Sequence, residues 1–315
     1  MCLLHILNGV KVRKLTVKFS VYEKIHFSAV FGAYLRNGFM FFARQVQTED
    51  GRSLRDVIDT VPIGKESPLY RQLSGGFPKG FFFDISSNDA PYTKRRDYYL
   101  HPGVEHSFDL VLIGRIAEYE RYFIDALQML FDRGMGNPMG RLCIKNIIGE
   151  DVVFSGVNGY QQDGTLEMRI DFITPVCLVK NMGAKSRNSF QDKMNGFPSF
   201  YQFVRSVLYR LYTLDVLYGE GTGLTDADIN ANDILDEYIA PAGDAVMTSA
   251  TLNKTVLYNT PKKDTSRIIE FAGYSGTMEF ENVHALYYPI LKFAENFNVG
   301  NDIVYGLGAF RVNII

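Results

Sequence analysis

The segment NVGNDIVYGLGAFRVNII, residues 298–315, carries glycines at 300, 306 and 308. A glycine loop cradles phosphate when it opens a helix, whose N-terminal amides face the anion. Here Ala309 to Ile315 follow Gly308, and they read as a strand. That excludes a dinucleotide cradle. The expected arrangement is a helix, a glycine loop and a closing strand, with Gly306 and Gly308 permitting close backbone approach.

The residues before this segment extend the pattern. VHALYYPILKFAENF (283–297) reads as a short helix. ATLNKTVLYN and RIIEFAGYSGTMEFE read as strands separated by TPKKD. FPSFYQFVRSVLYRLYTLDVLYG (197–219) is a long amphipathic helix, and LEMRIDFITPVCLVK (166–180) is a strand stopped or bent at Pro175. The order is β–α–β–β–α–β, the split βαβ pattern of a ferredoxin-like fold.

The first half repeats it. KLTVKFSV alternates as a strand, and FSAVFGAYLRNGFMFFARQ has helical spacing. SFDLVLIG (107–114) is a buried strand, AEYERYFIDALQMLFDRG (117–134) a helix ending at a glycine, and LCIKNIIGEDVVF a strand. One strand must then lie within the irregular stretch 48–106, which is punctuated by Pro62, Pro68, SGGFPKG, Pro91 and Pro102. The expectation is an α+β chain of two tandem ferredoxin-like (RAMP- or RRM-like) domains: 1–160, with the insertion at about 48–106, and 161–315, with the glycine-rich loop.

Composition is ordinary for a globular chain: 315 residues, 46% apolar, 22% charged, net charge −2. A free-standing nucleic-acid binder is often basic, so charge must be judged by its placement. Cys2, Cys143 and Cys177 form neither a disulfide framework nor a zinc knuckle. The opening MCLLHILNGVKVRK lacks the features of a secretory signal, and no apolar run reaches membrane-spanning length. A cytoplasmic location is expected.

Five segments resemble one family. They are HFSAVFGAYLRN; SFDLVLIGRIAEYERYFIDALQMLFDRGMGNPMGRLCIKNI; RIDFITPVCLVKN; FVRSVLYRLYTLDVLYG; and GYSGTMEFENV with HALYYPILKFAENF and GNDIVYGLGAFRV. In order and spacing they resemble the CRISPR-associated RAMP endoribonucleases of the Cas6 type, which process precursor CRISPR RNA. The resemblance implies paired ferredoxin-like domains and binding of CRISPR repeat RNA. It also implies metal-independent cleavage by 2′-OH attack, leaving a 2′,3′-cyclic phosphate, with no cofactor and with other Cas proteins of an effector complex as further partners. The alternative is a catalytically inactive RAMP subunit that holds the repeat handle. A metabolic α+β enzyme has no nucleotide or metal signature to support it. Two departures are visible. The stretch RQVQTEDGRSLRDVIDTVPIGKESPLYRQL has no cysteines, so no zinc site is expected there, and Ala309 and Phe310 separate the glycines from Arg311.

Such cleavage needs a base for the 2′-OH, an acid for the 5′-oxygen and a cation for the phosphorane. Relatives place a His, often with Tyr or Lys, in or beside the first helix. The resemblance therefore implies His26, Tyr34 and Lys24 as catalytic candidates, with Tyr22 nearby. His101 and His106 are the next imidazoles; His284 reads as a helix cap and His5 as a strand residue. Candidate RNA contacts are Arg36, Arg141, Lys94, Arg95, Arg96, Lys262, Lys263, Gly306, Gly308 and Arg311. Lys11, Arg13, Lys14 and Lys18 form a further basic group, and Arg205 and Arg210 lie on the long helix. No His or carboxylate pair has metal-ligand spacing.

Overall fold

The computed structural model describes residues 9–27, 30–73, 76–86, 98–154, 164–178, 198–219, 231–259 and 269–315. Strand β1 (Val12–Val21) buries Leu15, Val17, Phe19 and Val21 on one face, as the alternation predicts. It pairs antiparallel with β5 (His106–Ile113) on one side and β6 (Leu142–Val152) on the other. Strand β3 (Phe81–Asp84), the strand expected within the irregular stretch, pairs with β5. The sheet order is β3-β5-β1-β6.

Helix α1 (Phe31–Phe42) follows β1. Helices α2 (Leu54–Asp59) and α3 (Pro68–Leu73) lie in the insertion, and α4 (Glu120–Arg133) precedes β6. Phe39 and Phe123 stack with centroids 5.3 Å apart, and Phe81 and Phe83 meet Phe39 from the sheet. The core of this half is therefore aromatic, which accounts for much of the phenylalanine in the sequence. Two short strands outside the sheet, β2 (Ile25–Phe27) and β4 (Tyr98–Leu100), form a separate antiparallel ribbon.

The second half repeats the order. Strand β7 (Thr165–Val176), helix α5 (Phe200–Tyr218), helix α6 (Ala231–Ile239), strands β8 (Val246–Asn259) and β9 (Ile269–His284), helix α7 (Tyr287–Ala294) and strand β10 (Phe310–Ile314) follow in sequence. The sheet order is β10-β7-β9-β8. Relative to chain order both sheets run fourth, first, third, second, the antiparallel ferredoxin-like arrangement. The pairing of β7 with β9 shifts register between Phe172 and Val176, where Pro175 bends the strand. The closing strand matches the reading of Ala309 to Ile315, and a tight turn precedes it. Ile303–Tyr305 form a 3₁₀ turn, because Asp302 and Gly306 on either side adopt left-handed backbone. Helix α6 has no counterpart in the sequence reading.

Several contacts among the described residues join the halves. The C-terminal end of α5 lies on Gly114, Arg115 donates to the Leu217 carbonyl (2.8 Å), and the Tyr218 hydroxyl donates to that of Pro78 (3.0 Å). Burial pushes the Tyr218 phenol up to about 12. The turn at 303–306 lies against α1 and β3. No helix among the described residues is long and apolar enough to cross a membrane.

Candidate functional site

The β2–β4 ribbon alternates. Ile25, Phe27 and Leu100 are fully buried, so His26 and its cross-strand partner Tyr99 share the outward face. Their rings stack, centroids 4.8 Å apart and planes at 23°. The Lys24 ammonium lies 4.3 Å from the Tyr99 ring centroid, a cation–π contact. His101 is exposed, its ring 6.4 Å from that of Tyr99. A lysine and two imidazoles thus gather around one exposed phenol.

The glycine turn after α4 supports this ribbon from behind. The Asn137 amide donates to the His26 carbonyl (2.9 Å), and Met135 and Gly140 bond each other through their backbones. A Cβ at Gly136, where φ is +90°, would meet the Ile25 side chain and the His26 carbonyl, so the close approach needs glycine.

Tyr34, the other catalytic candidate, is not brought to the His26 face. Its ring meets Phe27 edge-on at 4.9 Å, on the strand face opposite His26. The phenol beside His26 is Tyr99. His106 packs on Phe19 (5.5 Å), and burial holds its imidazole below the ordinary value. The His284 Nδ1 accepts the Leu286 amide at 3.2 Å, a local cap.

The basic group on β1 is largely neutralised. Arg13 pairs with Glu120 (2.8 Å), Lys14 with Asp109 (3.0 Å) and Lys18 with Glu105 (3.4 Å). Arg311 lies 4.0 Å from Glu295 and donates to the Phe310 carbonyl. Arg141 is exposed beside the glycine turn. Lys94, Arg95, Arg96, Lys262, Lys263 and His5 lie outside the described residues.

In the glycine-rich loop the Gly306 amide donates to the Ile303 carbonyl and the Gly308 amide to that of Pro175. Both amides are occupied within the protein. A Cβ at Gly306 would meet Ile85 and the Phe83 carbonyl, and one at Gly32 of α1 would meet the Tyr305 carbonyl. The close approach that these glycines allow is to the other half of the molecule.

A cleft of about 470 Å³ opens between the halves, lined by Arg36, Lys79, Tyr209, Arg210 and Asp302 among others. Arg36 lies over the Tyr305 ring at 5.5 Å, and Lys79 pairs with Asp59 at 2.9 Å. Arg210 has no carboxylate within ion-pair distance among the described residues. Burial pulls its guanidinium down to about 9. Burial also raises the Asp302 carboxyl and the Tyr209 phenol.

Residues 170–310 match the family model of the CRISPR-associated endoribonuclease Cas6, and a second model, described as an N-terminal domain, matches residues 57–163. The Cas6 match covers 141 of the 315 residues, all of them in the second half of the chain. Similar solved structures include Thermus thermophilus Cas6 (TM-score 0.51, 10% identity, 96% of this chain and 99% of that one). A product complex of the same Cas6 has a TM-score of 0.53 and 12% identity, covering 96% of this chain and 99% of that one. A partial Cas6-RT-Cas1–Cas2 complex has a TM-score of 0.54 and 11% identity, over 98% of this chain and 47% of that one. These likenesses concern the tandem ferredoxin-like fold. No curated protein matches the sequence.

The ribbon belongs to the first half, outside the residues that match the Cas6 model, and the cleft is shared by both halves. The sequence named Lys24, His26 and His101 as candidates and did not single out Tyr99, which the structure places beside them at the end of the irregular stretch. The signal was alternation in YYLHP, too short to read as a strand.

Proposed function

We propose that this protein is a Cas6 endoribonuclease that binds CRISPR repeat RNA and cuts it at the β2–β4 ribbon without a metal ion. The observation that carries this reading is the gathering of Lys24, His26 and His101 around Tyr99 on an exposed face, in a chain whose residues 170–310 match the model of the CRISPR-associated endoribonuclease Cas6.

The step is an in-line transesterification. His26 takes the proton from the 2′-OH, whose oxygen forms a bond to phosphorus while the bond from phosphorus to the 5′-oxygen breaks. His101, in its protonated form, gives a proton to the departing 5′-oxygen. The Lys24 ammonium offsets charge on the phosphorane. The products are a 2′,3′-cyclic phosphate and a 5′-hydroxyl. Tyr99 positions the groups through its ring: His26 stacks on it and Lys24 lies over it.

The test is labelled repeat RNA incubated with purified protein in EDTA. A single cut ending in a cyclic phosphate, abolished by a 2′-deoxy nucleotide at the cut, supports the reading. RNA bound but uncut replaces it with a subunit that holds the repeat handle. No binding overturns both.

A further inference from the structure

We propose that the cleft between the two halves is a single-nucleotide subsite for the RNA, in which Arg210 takes a phosphate and Asp302 accepts from a base that carries an exocyclic amino group. This rests on the RNA-binding reading above but uses none of the ribbon residues.

Three polar groups on the cleft have hydrogen-bonding capacity that the described residues do not use. A guanidinium has five N–H donors. At Arg210 only Nε–H is used, donating to the Phe297 carbonyl at 2.8 Å; the terminal nitrogens have no acceptor among the described residues. The Phe82 ring lies 5.9 Å below the guanidinium and helps hold its plane. The Asp302 carboxylate and the Tyr209 hydroxyl, on the same cleft, also make no hydrogen bond or ion pair among the described residues. These groups line a cleft open to water, so a ligand can take them as partners without breaking a protein contact. The cleft offers a fixed cation, a phenol and a carboxylate.

Size and chemistry then select the ligand. The volume, about 470 Å³, lies within the range of roughly 300–1,000 Å³ typical of small-ligand sites. It suits one nucleotide and not a duplex. A guanidinium with free terminal nitrogens matches phosphate oxygens bidentately. A carboxylate accepts from a base amino group, as Asp and Glu do with cytosine N4. Uracil has no amino group, and its imino N–H is flanked by two carbonyl oxygens that the carboxylate repels. Asp302 is also held in position. Its backbone is left-handed (φ 60°) and its carbonyl accepts the Tyr305 amide at 3.0 Å, so the side chain starts from a fixed point on the cleft rim.

The test uses fluorescein-labelled decamers of A, C and U, with binding measured by anisotropy against salt. Arg210→Met should weaken all three about tenfold and lower the slope of log affinity against log salt by about 0.7, one phosphate's share for a single strand. Asp302→Asn keeps the left-handed backbone, which asparagine also adopts. It should weaken the A and C decamers about fivefold and leave U unchanged or bound more tightly, because an amide presents a single acceptor without charge and its NH2 can donate to a uracil carbonyl. A melting curve shows whether each variant is folded. If Arg210→Met is not, Arg210→Lys serves instead, with the salt slope retained and affinity lost. Equal binding by wild type and the folded Arg210 variant overturns the phosphate site. An equal effect of Asp302→Asn on all three decamers, or none, overturns the base contact. Both leave the ribbon proposal standing. Wild type that binds no decamer overturns the subsite whatever the ribbon does, and the EDTA cleavage assay judges the ribbon separately.

Discussion

The Tyr305 carbonyl sits directly over Gly32, where a Cβ would collide with it. One turn further along α1, Arg36 lies over the Tyr305 ring. Positions i and i+4 share a helix face, so one stripe of α1 receives both the backbone and the side chain of Tyr305. This seats the glycine-rich turn of the second half on the first helix.

Gly32→Ala reverses the usual sign of a helix substitution. Alanine favours a helix over glycine by about 1 kcal/mol. Here the new methyl meets backbone, which cannot rotate away, and overpacking of this kind costs about 1–3 kcal/mol. A fall in melting temperature of several degrees is expected. A rise would show that the turn at Tyr305 moves freely away from α1.

The stack of His26 on Tyr99 separates ring from hydroxyl. Tyr99→Phe keeps the stack and the Lys24 contact, and should leave the cleavage rate within about twofold. Tyr99→Leu loses two contacts worth on the order of 1 kcal/mol each, so kcat should fall about tenfold or more with repeat-RNA affinity unchanged. His26→Ala should cost about 100-fold or more, the usual worth of a positioned base. Single-turnover rates at saturating protein read all three. Loss in Tyr99→Phe would make the hydroxyl itself a participant.

Asp84 faces Asp109 across the β3–β5 pairing and is buried. Desolvation, then the Asp109 charge, raises its pKa, against the Ser86 amide bond (2.8 Å) and the Arg311 charge. The folded value exceeds the unfolded one, so the fold binds the proton more tightly. Stability from this group is full at low pH and is lost as pH rises from the ordinary carboxylate value of about 3.9 through the raised one. Asp84→Asn, keeping the Ser86 bond, should raise the melting temperature at pH 7 by roughly 2 °C, with the gain shrinking toward pH 4. A gain that does not depend on pH would assign the effect to packing.

Helix α5 carries Tyr209 and Arg210 and begins at a capping box. Ser199 accepts the Gln202 amide (3.2 Å), and Gln202 accepts that of Ser199 (3.0 Å). Ser199→Ala should cost about 1 kcal/mol. Denaturant midpoints should show it, with the dependence on denaturant concentration unchanged.

Local patterns in the chain carried the two ferredoxin-like halves. Alternation in Val12–Val21, three- and four-residue spacing in Phe31–Phe42 and Phe200–Tyr218, and glycine stops at 134 and 219 are short-range signals, and each element followed them. They work because a strand or helix buries one face wherever it docks. The ribbon was less legible: three-residue strands leave almost no period, and β2 and β4 lie far apart in sequence. Helix α6 passed unread for a related reason, its periodic run being short. His26 was visible as a residue type, but the partner that orients it was not, because cross-strand register is decided by burial of Ile25, Phe27 and Leu100 against the rest of the molecule. The terminal glycines show the same division. Sequence alone excluded a dinucleotide cradle, since a strand and not a helix follows Gly308. Only the tertiary structure showed what they approach, because the atoms that would collide with a Cβ at Gly306 belong to Phe83 and Ile85, some two hundred residues earlier in the chain.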